Sequence, residues 1–330
     1  MTIQFRQHLS TVPTPLTGLA LGIASLGWCA ENLFASNGQL ALLGAGVATL
    51  LLLLVVAKYC CVPARLLQDL QQPILGSVLP TFTMATMVVS HALAPWLAGI
   101  AEILWCAAVV VHLLLLLGFV YYRSQHFKLA DLLPSWFIPP IGIVVAPLTV
   151  PAVPTLQTLA YLLLLFGLVA LAVMLPLMLM RLILVGTPNP AALPTLAVLA
   201  APASLCLAGY LSFVATPSIE LVALLTGIAI LMTFTAYLLL TRLLTLPFSP
   251  SHAAFTFPLV IGASAQFKLA VWLTSLAPNT KLVAWVEQLA TVEFFIAAAV
   301  IAVVSARYAL TAWRYFQLHM QSNVLDGALP

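Results

Sequence analysis

Apolar residues run in long blocks along this chain, and charges punctuate them rarely. Arg6 to Glu31 encloses 24 uncharged residues, Glu31 to Lys58 encloses 26, and Asp131 to Arg181 encloses 49, with a turn signal at Pro151–Thr155 in the middle of the last. A bilayer core of about 30 Å is crossed by roughly 20 apolar residues at about 1.5 Å rise each. The pattern therefore predicts ten membrane helices, over 13–34, 39–62, 75–94, 97–122, 134–151, 156–182, 191–215, 219–243, 248–276 and 283–317, the last running on past the membrane. The expected organisation is one transmembrane domain (13–317) between short tails (1–12 and 318–330).

An even number of crossings puts both ends on one side, and basic residues choose which. Arg6, Lys58, Arg65, Arg123, Lys128, Arg181, Arg242, Arg307 and Arg314 fall on the side of the termini, nine of the eleven Lys and Arg; Glu31, Glu220 and Glu287 fall opposite, with Lys281 as the main exception. The expected topology is a multi-pass protein of the cell (inner) membrane with cytoplasmic ends. The first apolar segment is long enough to cross and lacks the pattern of a cleavable signal peptide.

Composition agrees: of 330 residues, 63% are hydrophobic and 6% charged. So few charges cannot coat a soluble body, which excludes a water-soluble enzyme, a nucleic-acid binder and a secreted disulfide scaffold. The five cysteines lie in or beside apolar segments and read as buried thiols. No nucleotide, metal or nucleophile motif occurs, so neither an enzyme nor a cofactor is expected, and the partners are lipid and small solutes, not nucleic acid.

Prolines carry the next layer. Within a helix, proline frees the carbonyl four residues earlier, which lipid cannot satisfy. Pro15, Pro80, Pro139, Pro140, Pro147, Pro202 and Pro258 fall in odd-numbered segments, whereas among even ones only the sixth holds an interior proline, Pro176. The intervals Pro15–Pro80, Pro80–Pro140, Pro140–Pro202 and Pro202–Pro258 are 65, 60, 62 and 56 residues. A unit of about sixty residues thus repeats five times, each a bent helix followed by a straight one. The bent helices also hold the small and hydroxyl residues, as in Gly18/Gly22/Ser25/Gly27 and Ser77/Thr81/Thr83/Thr86, and the straight ones are greasier, as in Leu50–Leu54 and Leu113–Leu117. Bent helices are expected inside, around a central channel, and straight ones against lipid. Expected pore-lining residues are Pro15, Gly22, Pro80, Thr81, Pro140, Pro202, Thr256, Pro258 and Ser264.

The chain resembles the tellurite-resistance/dicarboxylate transporter family, whose relatives include the plant slow-type (guard-cell) anion channels and bacterial TehA-like proteins. The likeness runs from Pro15 to about Phe316. It is carried by Gly18-x-x-x-Gly22, Glu31-Asn32-Leu33-Phe34, Gln72-Pro73-Ile74-Leu75-Gly76-Ser77 and Pro134-Ser135-Trp136-Phe137-Ile138-Pro139-Pro140. Ala201-Pro202-Ala203-Ser204 and Ala254-Phe255-Thr256-Phe257-Pro258-Leu259 complete it. The resemblance implies a homotrimer with a pore in each protomer, built from five tandem hairpins with odd helices inside. It also implies that Phe257 plugs the pore, that Gly18 leaves room for its ring, and that the cargo is a small anion.

A phenyl ring across a narrow lumen blocks hydrated ions by dewetting it. Anion preference is expected from half-helix N-termini aimed at the lumen and from the hydroxyls of Ser77, Thr81, Thr256 and Ser264. Lys268, eleven residues beyond Phe257, either draws anions at the outer vestibule or snorkels to the interface. Glu102, Glu293 and His112 are intramembrane titratable residues, each read as structural or as a proton site, with Glu293 a partner for Lys268. A proton-coupled carrier exporting sulfite, tellurite, dicarboxylates or toxic compounds is the alternative.

Overall fold

The computed structural model describes residues 3–125, 127–278 and 280–326; of the expected tails, residues 1, 2 and 327–330 lie outside it. Among the described residues all regular structure is helical. The helices are α1 (Ile3–Ser10), α2 (Leu16–Phe34), α3 (Gln39–Cys61), α4 (Ala64–Gln71), α5 (Pro73–Val78), α6 (Thr81–Leu93) and α7 (Ala98–Ser124). They continue with α8 (Ile138–Ile141), α9 (Val145–Thr149), α10 (Pro154–Val185), α11 (Ala201–Phe213), α12 (Ile219–Leu243), α13 (Phe257–Leu276) and α14 (Lys281–Asp326). The N-terminal tail thus contains a short helix, and the last helix runs well beyond residue 317.

Each of the ten predicted segments is helical, with ends within a few residues of those expected except in α14. Eight are long and apolar enough to cross a membrane: Gln39–Cys61, Pro73–Leu93, Ala98–Ser124, Pro154–Val185, Pro190–Phe213, Ile219–Leu243, Pro250–Leu276 and Lys281–Gln317. The other two are the 19-residue α2 and the shorter apolar stretch Pro134–Thr149. The protein is therefore a polytopic helical membrane protein.

Burial divides the helices as the proline pattern predicts. In α3, α7, α10, α12 and α14, between 28% and 39% of the apolar core is buried, against 67% in Pro73–Leu93, 89% in Pro190–Phe213 and 56% in Pro250–Leu276. The straight helices turn rows such as Leu43/Leu50/Leu53, Leu114/Leu117 and Leu224/Leu231/Leu238 outward. Such rows are rare on water-soluble monomers and suit contact with lipid.

The odd segments are broken more deeply than a kink would make them. Between α5 and α6 the chain turns at Leu79–Pro80, and Gly142–Val144 separates α8 from α9 as a 3₁₀ turn. Pro190–Ala200 and Pro250–Phe255 are 3₁₀ helices that become α-helices only at Ala201 and Phe257. Pro15 is not interior at all: it precedes the first residue of α2. The reason is common to all. Proline has no N–H to give, and the first turn of a helix needs none, so proline starts helices well. The third, fifth, seventh and ninth segments therefore restart at their prolines, and the first starts at Pro15.

The hairpin of α2 and α3 shows how the units close. Glu31 Oε1 accepts hydrogen bonds from the backbone N–H groups of Leu40 (2.9 Å) and Ala41 (3.1 Å) and from the Ser36 hydroxyl (2.6 Å), while Oε2 accepts from the Gly38 N–H. A carboxylate at the start of α3 satisfies orphan donors and opposes the helix dipole favourably.

Candidate functional site

A hollow of about 60 Å³ lies at the level where the odd segments restart. Every odd segment borders it and no even one does: Pro15, Gly18 and Leu21; Ile74, Val78, Thr81 and Met84; Ser135, Phe137, Ile138, Ile141 and Gly142; Thr195, Val198, Ala201, Pro202 and Leu205; Ser251, Ala253, Ala254, Phe257 and Pro258. The first turns of α2, α6, α8, α11 and α13 all contribute to its wall. Of these, α2 and α6, 19 and 13 residues long, begin after turns and bring the positive ends of their dipoles to it, whereas α11 and α13 continue directly from 3₁₀ helices.

Side-chain hydrogen bonds tie neighbouring segments together around it. Thr17 and Thr81 hydroxyls meet at 2.7 Å, Ser77 donates to Ser135 (2.7 Å), and Thr256 donates to the Gly18 carbonyl (3.1 Å) and to the Ala253 carbonyl (2.7 Å). These contacts hold the breaks in register and satisfy groups that lipid would leave bare.

Phe257, 7% exposed, shares the hollow with Gly18. A side chain on Gly18 would meet Ala253 Cβ at 3.5 Å, an ordinary contact. The intolerant glycine is Gly22, where a Cβ would stand 2.5 Å from both Cβ and Oγ1 of Thr256 and 3.2 Å from the Phe257 nitrogen. Gly22 is thus the glycine that the close approach of the first and ninth segments requires, while Gly18 borders the hollow that Phe257 shares.

Other expected lining residues separate into two groups. Pro15, Thr81, Pro202 and Pro258 border the hollow; Gly22, Pro80, Pro140 and Thr256 do not. Sequence reading missed Leu21, Met84, Ile141 and Leu205, bulky apolar side chains that face Phe257's hollow from the other four segments. Nothing but helical phase relative to each break marks them.

The face of α13 that begins at Phe257 continues through Ile261, Ser264 and Lys268 at helical spacing, then Val271 and Ser275. Ile261, Ser264 and Lys268 line a second hollow of about 50 Å³ with Trp28, Cys29, Asn32, Leu148 and Ala208. Lys268, Val271 and Ser275 line a third, of about 400 Å³, with Asn32, Ser212 and Trp272 among others. Faces of α2 and α11 follow the same progression, through Leu21, Trp28 and Asn32 and through Leu205, Ala208 and Ser212. Three hollows thus lie in series along the odd helices.

The intramembrane titratable residues lie elsewhere. Glu102 is in the second turn of α7, near a helix end and not in mid-crossing, and is partly exposed. His112 is fully buried between hairpins: its Nε2 donates to the Pro139 carbonyl (2.9 Å) and its Nδ1 meets the Thr83 hydroxyl (2.8 Å). Glu293 packs behind α13, where its Oε2 and Thr233 stand 3.4 and 3.5 Å from the side-chain position of Gly262. It does not pair with Lys268. Residues 262 and 268 are six apart, which is about 240° around the helix, so the groups they adjoin face different ways. Among the described residues the ion pair formed is Lys58–Asp69 at 2.9 Å, where Thr14 (2.6 Å) and Tyr59 (2.9 Å) also donate to Asp69 Oδ2. This buried cluster anchors the chain just before Pro15.

Among the described residues no three His, Cys, Asp or Glu side chains converge to hold a metal ion. A stretch of 101 residues is 28% identical to an uncharacterized transporter of Methanocaldococcus jannaschii, covering 29% of this chain and 30% of that protein's length. The model of the voltage-dependent anion channel family (SLAC1) matches residues 15–309, and a match over nearly the whole chain, on a helical membrane fold whose broken helices meet at one hollow, means that this protein belongs to that family.

Proposed function

We propose that the protein conducts small anions along the three hollows in series and that Phe257 gates the path. The observation that carries this reading is the convergence of five helix starts, one per repeat, on a single apolar hollow with Phe257 in its wall. Helix N-termini favour anions over cations without needing a fixed charge. An apolar constriction keeps the path dry until a side chain moves. Phe257 is the one aromatic residue of the ninth segment on that wall, and it sits where 3₁₀ and α geometry meet.

In this reading ten segments cross the membrane, both termini are cytoplasmic and three copies assemble, each with its own path. The orientation is supported by arginines that bond carbonyls at or after the ends of even segments: Arg6 donates to the Cys61 carbonyl, Arg123 to Gln71, Arg181 to Gly186 and Arg307 to Leu244. A proton-coupled carrier finds less support, because among the described residues no carboxylate or imidazole lines any of the three hollows.

Liposomes containing Phe257→Ala should pass chloride or nitrate faster than the parent by on the order of tenfold or more, as removal of a hydrophobic plug implies. Equal flux would remove the gate from the reading, and cation flux in place of anion flux would remove the conduction of anions.

A further inference from the structure

Lys268 and Asn32 are the two residues common to the walls of the second and third hollows, so they stand at the neck between a space of about 50 Å³ and one of about 400 Å³. Lys268 follows Phe257 on the same helix face, about 16 Å further along. The side chain is only partly exposed, and its ammonium lies 5.8 Å from the centroid of the Trp28 ring, which turns it inward across the neck. No carboxylate among the described residues forms an ion pair with it, in contrast to Lys58, which is paired with Asp69. Asn32 Nδ2 donates to the Cys29 carbonyl (2.8 Å), which leaves its second amide hydrogen for another acceptor.

A half-desolvated ammonium without a carboxylate partner needs a counter-charge. Resting on the conduction reading above, we propose that Lys268 and Asn32 form an anion-binding site at the neck, at the end of the path opposite Phe257, which takes a small monovalent inorganic anion of halide or nitrate size. The ammonium supplies the charge and charge-assisted hydrogen bonds, and the Asn32 amide supplies a second, directional donor. The Trp28 ring shields one side and holds the ammonium by a cation–π contact. The inner space of about 50 Å³ has room for such an ion together with a few waters. The site concentrates anions before the apolar stretch that leads to Phe257, so it acts on entry and selectivity, while the gate acts on opening.

The test uses the full chain in liposomes with Phe257→Ala as the conducting background. Adding Lys268→Gln should raise the half-saturating chloride concentration about tenfold, the scale expected for loss of one close charge contact, and lower the anion-to-cation permeability ratio. Lys268→Arg should keep both near the background values. Chloride-NMR line broadening of the detergent-solubilised protein provides a second measurement that needs no conduction. Broadening lost in Lys268→Gln and kept in Lys268→Arg supports the site even if Phe257→Ala passes no current, which would count against the conduction reading alone. Half-saturation and broadening unchanged in Lys268→Gln would overturn the site and leave the gate untouched.

Discussion

Gly22 and Thr256 stand so close that a Cβ on Gly22 would fall 2.5 Å from the threonine's Cβ and Oγ1, although the residues are 234 positions apart. Thr256 in turn donates to the carbonyl of Gly18, one turn away on α2. The first and ninth segments are therefore locked together at the break that carries Phe257. Gly22→Ala must push Thr256 away and should lower stability by about 1 to 3 kcal/mol, as overpacking does, measured as a drop in melting temperature in detergent. Gly18→Ala makes only an ordinary contact with Ala253 and should melt like the parent.

His112 should prove structural. Replacing it with leucine removes the donor to the Pro139 carbonyl and the partner of Thr83 inside a fully buried region. Stranding buried polar groups costs about 1 to 3 kcal/mol each, so His112→Leu should be destabilised by about 2 kcal/mol or more by thermal melting, while chloride flux through the folded fraction in the Phe257→Ala background stays the same.

Asp69 should make stability depend on acid. Burial alone would raise its carboxyl, but hydrogen bonds from Thr14, Lys58 and Tyr59 and the Lys58 charge together hold it below its ordinary value of 3.8. A carboxyl depressed on folding contributes stability that is fully present above the unfolded value and is lost as pH falls through the folded one. Its contribution should hold at neutral pH and fade only below about pH 3.8. Asp69→Asn should lose about 3 kcal/mol at neutral pH, because it leaves Lys58 buried without its charge partner, and Lys58→Met/Asp69→Asn should recover part of that loss. Melting curves at neutral and acid pH measure both.

Glu293 separates the channel from a proton-coupled carrier. Its Oε2 is buried without a hydrogen-bond partner, behind α13, and Glu293 lines none of the three hollows. Glu293→Gln should leave chloride flux in the Phe257→Ala background unchanged and indifferent to an imposed pH gradient. Flux driven by a pH gradient in the parent and abolished in Glu293→Gln would establish the carrier instead.

The sequence by itself determined the helical class, the segments and the repeat. These are local matters: apolar length measured against the bilayer sets where helices run, and the backbone cost of proline in lipid sets where they break. Hence the prolines of alternate segments already named the inner helices, and Phe257 and Pro258 stood out at one of the breaks. The tertiary structure alone decided which side of each break meets the shared space. Thr81 borders the hollow and Pro80 does not; Gly22 rather than Gly18 takes the close approach; Lys268 turns to Trp28 and leaves Glu293 behind the helix. Those outcomes depend on helical phase after each break and on contacts between residues more than two hundred positions apart. Neither leaves a periodic mark in the sequence, because a helix keeps the same composition whichever way it is rotated about its axis.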